Sequence, residues 1–308
     1  MHASPFSSVV APEPTMSFKC IDVQKLYEKD KNVRKSDVDI LTEWLKKQPH
    51  LPEMEEMQVA AFLHSCYYQI ERAKITIDNY FTMKTHHPEL FTTLNETQLR
   101  KSMSAVFVKV LPKTTPEGYV VFLLKLLDFK ADYFNFFDQV CVINMVSTLY
   151  LHQNGFETGA VIVFDSKGFT LSHLAKFNFS ALKHAVDHLQ EGAPVRVKSV
   201  HFINVVPVLD KVMSLIKPLL RGEVFNMLQL HPSMESFHKH IPKECMPEDY
   251  GGGVSSCQKL QDENLENCLK SYDFFQWHES QRVDEMKRVG KCASSFGIHG
   301  TFKKLNID

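Results

Sequence analysis

Apolar residues at positions 205, 208, 209, 212, 213, 215, 216, 219 and 220 recur with the period of an α-helix, interrupted only by Asp210, Lys211, Ser214 and Lys217. A helix this apolar is either buried in a core or covers something apolar. Directly upstream, Val195, Val197, Val200 and Phe202 are β-branched or aromatic, with Arg196 and Lys198 interleaved, which predicts a buried strand. Asn204 and Pro207 break it. The stretch 195–220 therefore reads as strand, break and helix, and the rest of the pattern is organised around it.

The first third is helical in period. Residues 18–28 fit one amphipathic helix. Ser36 is placed to cap a second, with Asp39 three residues on, an apolar stripe at Val38, Leu41 and Leu45, and Pro49 as its end. Residues 53–66 predict a third, with Glu53, Glu55 and Glu56 as favourable charge at its N-terminus. Residues 69–85 predict a fourth, with Ile70, Ala73, Ile77, Tyr80 and Phe81 on one face and Pro88 as the stop. Four such helices make a small bundle.

After Pro112 the pattern changes. Residues 118–127 are a near-continuous apolar run, suited to a strand covered on both faces. Residues 134–151 are helical, with Phe137, Val140, Cys141, Asn144, Thr148 and Leu151 along one side. Gly155 and Gly159 punctuate the next loop, a second buried strand runs over 160–164, and Asp165 and Gly168 form a turn. A helix over 180–190 leads through Gly192 and Pro194 into the strand at 195–203. Strands alternating with helices predict an α/β fold with a largely parallel sheet and right-handed crossovers. Residues 258–289 predict one polar helix with an irregular apolar side, too broken for a coiled coil, and 296–308 look extended.

Composition sets further bounds. The chain has 308 residues, a net charge of −1, 44% hydrophobic and 23% charged residues, which is ordinary for a globular protein and gives no basic excess for nucleic acid. Seven scattered cysteines with no CxxC pair suggest reduced thiols and a cytoplasmic chain. Residues 1–16 carry three prolines and no signal-peptide pattern, and read as a disordered tail. No apolar run reaches the length of a membrane span. Candidate chemistry is sparse. The pair His86-His87 points in two directions at a helix end, and His184 and His188 share a helix face at i, i+4 without a third ligand, so no metal is expected. His201, within an apolar strand, reads as a hydrogen-bonded core histidine. FDSKG at 164–168 is neither a P-loop nor a dinucleotide fingerprint, and no GxSxG, HExxH or Cys/His signature occurs, so neither cofactor nor enzymatic activity is expected.

An ordered series of segments carries a family resemblance: VIVFDSKGF (161–169), VRVKSVHFIN (195–204), SLIKPLL (214–220) and MPEDYGG (246–252), preceded by the helical segment 62–91. Over about residues 37–252 the chain resembles the CRAL-TRIO lipid-binding family, most closely the branch with the tocopherol and retinaldehyde carriers and the clavesins. The resemblance implies a disordered tail (1–16), an N-terminal helical bundle (17–110), a CRAL-TRIO domain (111–254) whose sheet floors an apolar pocket, and a C-terminal helix and tail (255–308).

The resemblance places Val142, Val146, Phe164, Leu189, Val195, Val197, Val200 and Phe202 around the pocket. It makes Val208, Leu209, Val212, Met213, Ile216, Leu219 and Leu220 a lid. The implied function is intracellular carriage of one hydrophobic molecule (a tocopherol, retinoid, carotenoid or other lipid) between membranes. The alternative is a regulatory or membrane-adaptor module that transfers nothing and has a phosphoinositide or protein partner. Tocopherol-binding relatives carry serines where Val142 and Val146 are aligned, which implies a drier pocket helix here. Of the family's basic membrane-facing positions, Arg196 and Lys198 remain, Lys217 and Arg221 lie close by, and Glu223, Met227 and His64 stand at others. The implied partners are a hydrophobic ligand and a transient membrane surface, with phosphoinositide bound more weakly than in the tocopherol-binding relatives, and no nucleic acid.

Overall fold

The structure is a computed structural model that describes residues 20–290. The expectations for the tail at 1–16 and for the end at 296–308 lie outside the described residues.

Five helices come first: α1 (Val23–Lys29), α2 (Lys35–Leu45), α3 (Glu56–Ser65), α4 (Ile70–His86) and α5 (Glu96–Ala105). Helix α3 starts as its acidic run predicts: Glu55 is the N-cap, and Gln58 Oε1 accepts from the Glu55 N–H at 2.9 Å, closing a capping box. Helix α2 corrects the expectation for Ser36. Its N-cap is Arg34, because the Asp37 carboxylate turns back to accept from Arg34 Nε at 2.9 Å and leaves Ser36 inside the first turn. On α4, Ala73, Ile77, Tyr80 and Phe81 are buried as the stripe predicts, with Tyr80 and Phe81 packed against Phe62 of α3.

The sheet follows: β1 (Val106–Val110), β2 (Tyr119–Leu126), α6 (Phe136–Asn154), β3 (Gly159–Asp165), α7 (Leu171–Leu174), α8 (Phe179–Glu191), β4 (Val197–Ile203), α9 (Leu209–Ile216), α10 (Gly222–Phe225) and β5 (Leu228–Leu230). Strand order is β1-β2-β3-β4-β5, with β1 antiparallel to β2 and all other pairs parallel. The three central strands match expectation. The short edge strands β1 and β5, and helix α5, carry too little periodic signal to be read from the sequence.

Alternation splits the sheet into two faces. Val121, Leu123, Val161, Val163 and Ile203 pack under α11 (Met234–His238) and α12 (Cys257–Lys270). Phe122, Leu124, Ile162, Phe164, Val200 and Phe202 look the other way. A register shift between β3 and β4 at Ala160/Val161 lets Val197 pack on that second side along with Val200 and Phe202.

Three of the family-like segments meet at the carboxyl end of β3. Asp165 accepts from the Lys167 N–H (2.9 Å), Asn204 Nδ2 (2.8 Å) and the Tyr250 hydroxyl (2.7 Å), so it is a turn residue that ties three segments together. Asn204 takes a left-handed φ of 50° to reach it. Gly252 is required by close approach, since a Cβ there would lie 1.9 Å from the Met246 carbonyl oxygen. The single helix expected over 258–289 is two, α12 and α13 (Tyr272–Ser280), broken at Ser271. The break turns Phe274 and Phe275 into the core beside α6. The six described cysteines are all free, and no helix among the described residues is long and apolar enough to cross a membrane.

Candidate functional site

The second sheet face is the floor of a cavity of about 530 Å³, walled by α4, α6, α8 and α13 and closed by α9. The volume lies in the range that holds one small ligand, about 300–1,000 Å³. Of the expected pocket residues, Phe164, Leu189, Val195, Val197, Val200 and Phe202 border it. Val142 and Val146 do not. They are 0% and 4% exposed and point into the core formed by α5, β1 and α12. A helix turns about 100° per residue, and the α6 residues that border the cavity include Val140, Ile143, Asn144, Ser147, Thr148, Leu151 and His152. The drier helix expected from Val142 and Val146 does not describe this wall, because Asn144, Ser147 and Thr148 on it are polar. Ser147 donates to the Ile143 carbonyl at 2.6 Å and Thr148 to the Asn144 carbonyl at 2.7 Å, which leaves their hydroxyl lone pairs as acceptors.

The segment expected as a lid is a shorter helix than its periodicity implies. Instead of one helix to 220, α9 has eight residues, followed by a 3₁₀ turn at Lys217–Leu219 and then α10. Pro207 and Pro218 bound it, because proline cannot donate to the helical ladder. Leu209, Val212, Ile216 and Leu220 border the cavity. Val208 is the N-cap of α9, Met213 is buried among Val200, Phe202 and Leu209, and Leu219 packs toward the Leu90–Phe91 cluster, so these three are supports of the lid and not its inner surface. Val205 before α9, Leu215 on it and Phe225 of α10 are exposed and do not border the cavity.

At the wall made by α4, α8 and α13 the cavity becomes polar. The Tyr80 hydroxyl lies 3.0 Å from His278 Nε2, and Nζ of fully buried Lys84 lies 3.3 Å from His278 Nδ1 and donates to its carbonyl. Burial, then the Arg282 charge, pushes the Lys84 amine well down; burial, then Lys84, does the same to His278. His188 sits between the Tyr80 and Phe91 rings with its Nδ1 buried and unpartnered. Burial, and after it Lys84, lowers its pKa to about 4, so the ring is neutral at pH 7. The i, i+4 pairing of His184 with His188 is not a metal face: His184 stacks on His87 at 3.6 Å, whereas His188 borders the cavity. This polar wall was missed in the sequence. The available signal was Lys84, four residues after Tyr80 on the buried face of α4.

The basic residues expected at a membrane have structural partners. Arg196 donates from Nε to the His64 carbonyl at 2.7 Å and stacks 4.3 and 4.8 Å from the Tyr67 and Tyr68 rings. Both tyrosines hold left-handed φ values, 53° and 64°. Lys198 donates to the Tyr67 hydroxyl at 3.2 Å. Lys217 covers Phe225, and Arg221 pairs with Glu191. His201 is the core histidine expected, with Nδ1 2.7 Å from His231 Nε2 and Nε2 2.8 Å from Ser199 Oγ.

Comparison with known proteins is consistent with this geometry. Residues 106–252 match the family model described as CRAL/TRIO domain, and residues 30–98 match one described as Pinta-like, UBA domain. Human "Alpha-tocopherol transfer protein-like" is 28% identical over 223 residues, covering 71% of this chain and 65% of that protein. Clavesin-1 of Xenopus laevis is 22% identical over 198 residues, covering 63% of this chain and 60% of its own. The chain thus spans about 65% of the length of the first of these curated relatives. The crystal structure of Sfh5 superposes with a TM-score of 0.52 at 13% identity, over 81% of this chain and 97% of that one, a likeness of fold.

Proposed function

From the match of residues 106–252 to the CRAL/TRIO domain model we propose that the chain is a carrier that takes up one hydrophobic molecule of the tocopherol, retinoid or carotenoid kind and exchanges it at membranes. The observation that carries the reading is the cavity of about 530 Å³ between an apolar sheet face and α9. Each 100 Å² of apolar ligand surface removed from water contributes about 2.5 kcal/mol, so a chain-like lipid needs little else to bind. The polar wall at Tyr80, Ser147, Thr148 and His188 orients a single uncharged head group, as in small-ligand pockets generally.

Release requires α9 to move. Val205, Leu215 and Phe225, exposed on and around α9, give it an apolar surface to rest on a bilayer. Arg196 and Lys198 serve the fold first, so docking in this reading rests on those apolar residues, with Lys217 and Arg221 beside them as the contacts for anionic lipid.

The test is organic extraction of the purified chain followed by mass spectrometry, together with uptake of fluorescent lipid analogues and their exchange between liposomes. A stoichiometric hydrophobic molecule and measurable exchange are expected. An empty extract with no uptake would overturn the reading in favour of a module that transfers nothing.

A further inference from the structure

Cys20, Glu55 and His152 come together from three separate stretches: the segment before α1, the N-cap of α3 and the last turn of α6. Cys20 Sγ is 3.9 Å from Glu55 Oε2, and His152 Nε2 is 3.6 Å from the same oxygen. One ligand atom from each of the three residues lies within 4.8 Å of the other two. His152 is 2% exposed, yet neither of its ring nitrogens has a hydrogen-bond partner. A buried imidazole without partners forfeits stability, and such groups call for an explanation. The ring is held in place by its own backbone, whose carbonyl accepts from the Ile21 N–H at 2.8 Å, and by packing against Phe274.

We propose that these three side chains bind one zinc ion, with water in the fourth position. Thiolate, imidazole and carboxylate are the zinc donor set, and with bonds of about 2.0–2.3 Å the ligand atoms of a tetrahedral site lie roughly 3.3–3.7 Å apart. The two distances to Glu55 are already within a few tenths of an ångström of that spacing, and the Cys20–His152 pair needs a shift of at most about 1 Å. The Glu55 side chain is about one-third exposed, which leaves an entry path and room for the water. On binding, the Cys20 S–H bond breaks, a Zn–S bond forms, and the proton leaves to solvent. The ion would staple the segment leading into α1 across the ends of α3 and α6. That segment continues to Leu26, which packs where a Cβ on Gly155 would fall, beside Phe156 on the cavity wall. The inference does not depend on which ligand the cavity holds.

The untagged full chain, stripped with chelator, should take up one zinc ion in native mass spectrometry. With cobalt(II) it should show a near-ultraviolet thiolate-to-metal charge-transfer band. Loss of a partner that merely orients a ligand costs about 10–100-fold in metal affinity, so Cys20→Ser should weaken binding at least ~100-fold and abolish the band. Zinc should also protect Cys20 of the wild-type chain from alkylation, a readout that needs no variant. His152→Gln should weaken binding similarly. Absence of a 1:1 adduct, a band that survives in Cys20→Ser, or unprotected Cys20 in saturating zinc would overturn the proposal.

Discussion

Mild acid should loosen this protein, because several histidines are buried in a form that a proton would disrupt. The clearest is His201 of β4, with only 1% of its surface exposed. It shares a hydrogen bond with His231, and the ring of His240 lies 5.6 Å away. Burial first, then the potential charges of His231 and His240, lowers its pKa from 6.5 to about 4. His188 also falls to about 4, through burial and Lys84; His64 falls to about 3, through burial and then Arg196, with Asp30 opposing.

In each case the folded value lies below the unfolded one, so between pH 6.5 and 4 the unfolded chain binds more protons. The stabilisation is complete above pH 6.5 and is lost as the pH falls. At pH 5 an unfolded histidine is nearly all protonated and a folded one with pKa near 4 only about a tenth, a difference of about 2 kcal/mol per group. Three such groups amount to about 6 kcal/mol, within the range of an entire domain's stability of about 5–15 kcal/mol. Position matters too, since His201 lies before the lid segment and His231 directly after β5 beyond it. The assay is urea unfolding at pH 7 and pH 5, with wild type and His201→Leu. Wild type should lose several kcal/mol between the two pH values, and the variant about 2 kcal/mol less, although it starts lower for want of its bonds to Ser199 and His231. An equal loss in both proteins, or a wild type indifferent to pH, would refute the reasoning.

Three further outcomes follow from the same geometry. Val212→Asp puts a carboxylate on the inner face of α9, removing about 1.5–3 kcal/mol of apolar contact, so fluorescent-lipid uptake should fall more than tenfold while the circular dichroism stays native; undiminished uptake would sink the lid assignment. His188→Leu should weaken binding of a long-chain alcohol by about tenfold, the worth of one hydrogen bond, and leave the matching hydrocarbon unaffected; equal effects on both would remove His188 as the polar contact. Gly252→Ala drives a methyl group against the backbone oxygens of Met246 and Lys243 and should destabilise by about 1–3 kcal/mol in urea unfolding; unchanged stability would show that this strap can yield.

The three central strands and the inner face of α9 were legible because their signals are local. Val200, Phe202, Leu209 and Val212 are apolar at the period of the element that holds them, and they face where that period points. Helix α6 was legible in part. Its periodic side at Val140, Asn144, Thr148 and Leu151 does border the cavity, whereas Val142 and Val146, taken from the family resemblance and not from the period, face the opposite core. Lys84 and His278 meet across 194 residues of chain, and the Cys20, Glu55 and His152 group gathers three distant stretches; no spacing rule reaches that far. Strand β1 is five residues following directly on a helix, too short for alternation to stand out.

The broken lid has a physical consequence for exchange. Eight residues between two prolines are too few for α9 to be stable alone in water. It holds its form because Leu209, Val212 and Met213 are buried against Val200 and Phe202. In water, lifting it exposes both that inner face and the floor, at about 25 cal/mol for each Å². At a bilayer the same surfaces meet acyl chains, and Val205, Leu215 and Phe225 are already exposed to make first contact. The cost of opening thus falls where an acceptor for the ligand is present. Because the helix is bounded near Pro207 and Pro218, lifting this segment unwinds no longer helix. In the carrier reading, this makes the membrane the condition for release, with no dedicated trigger required.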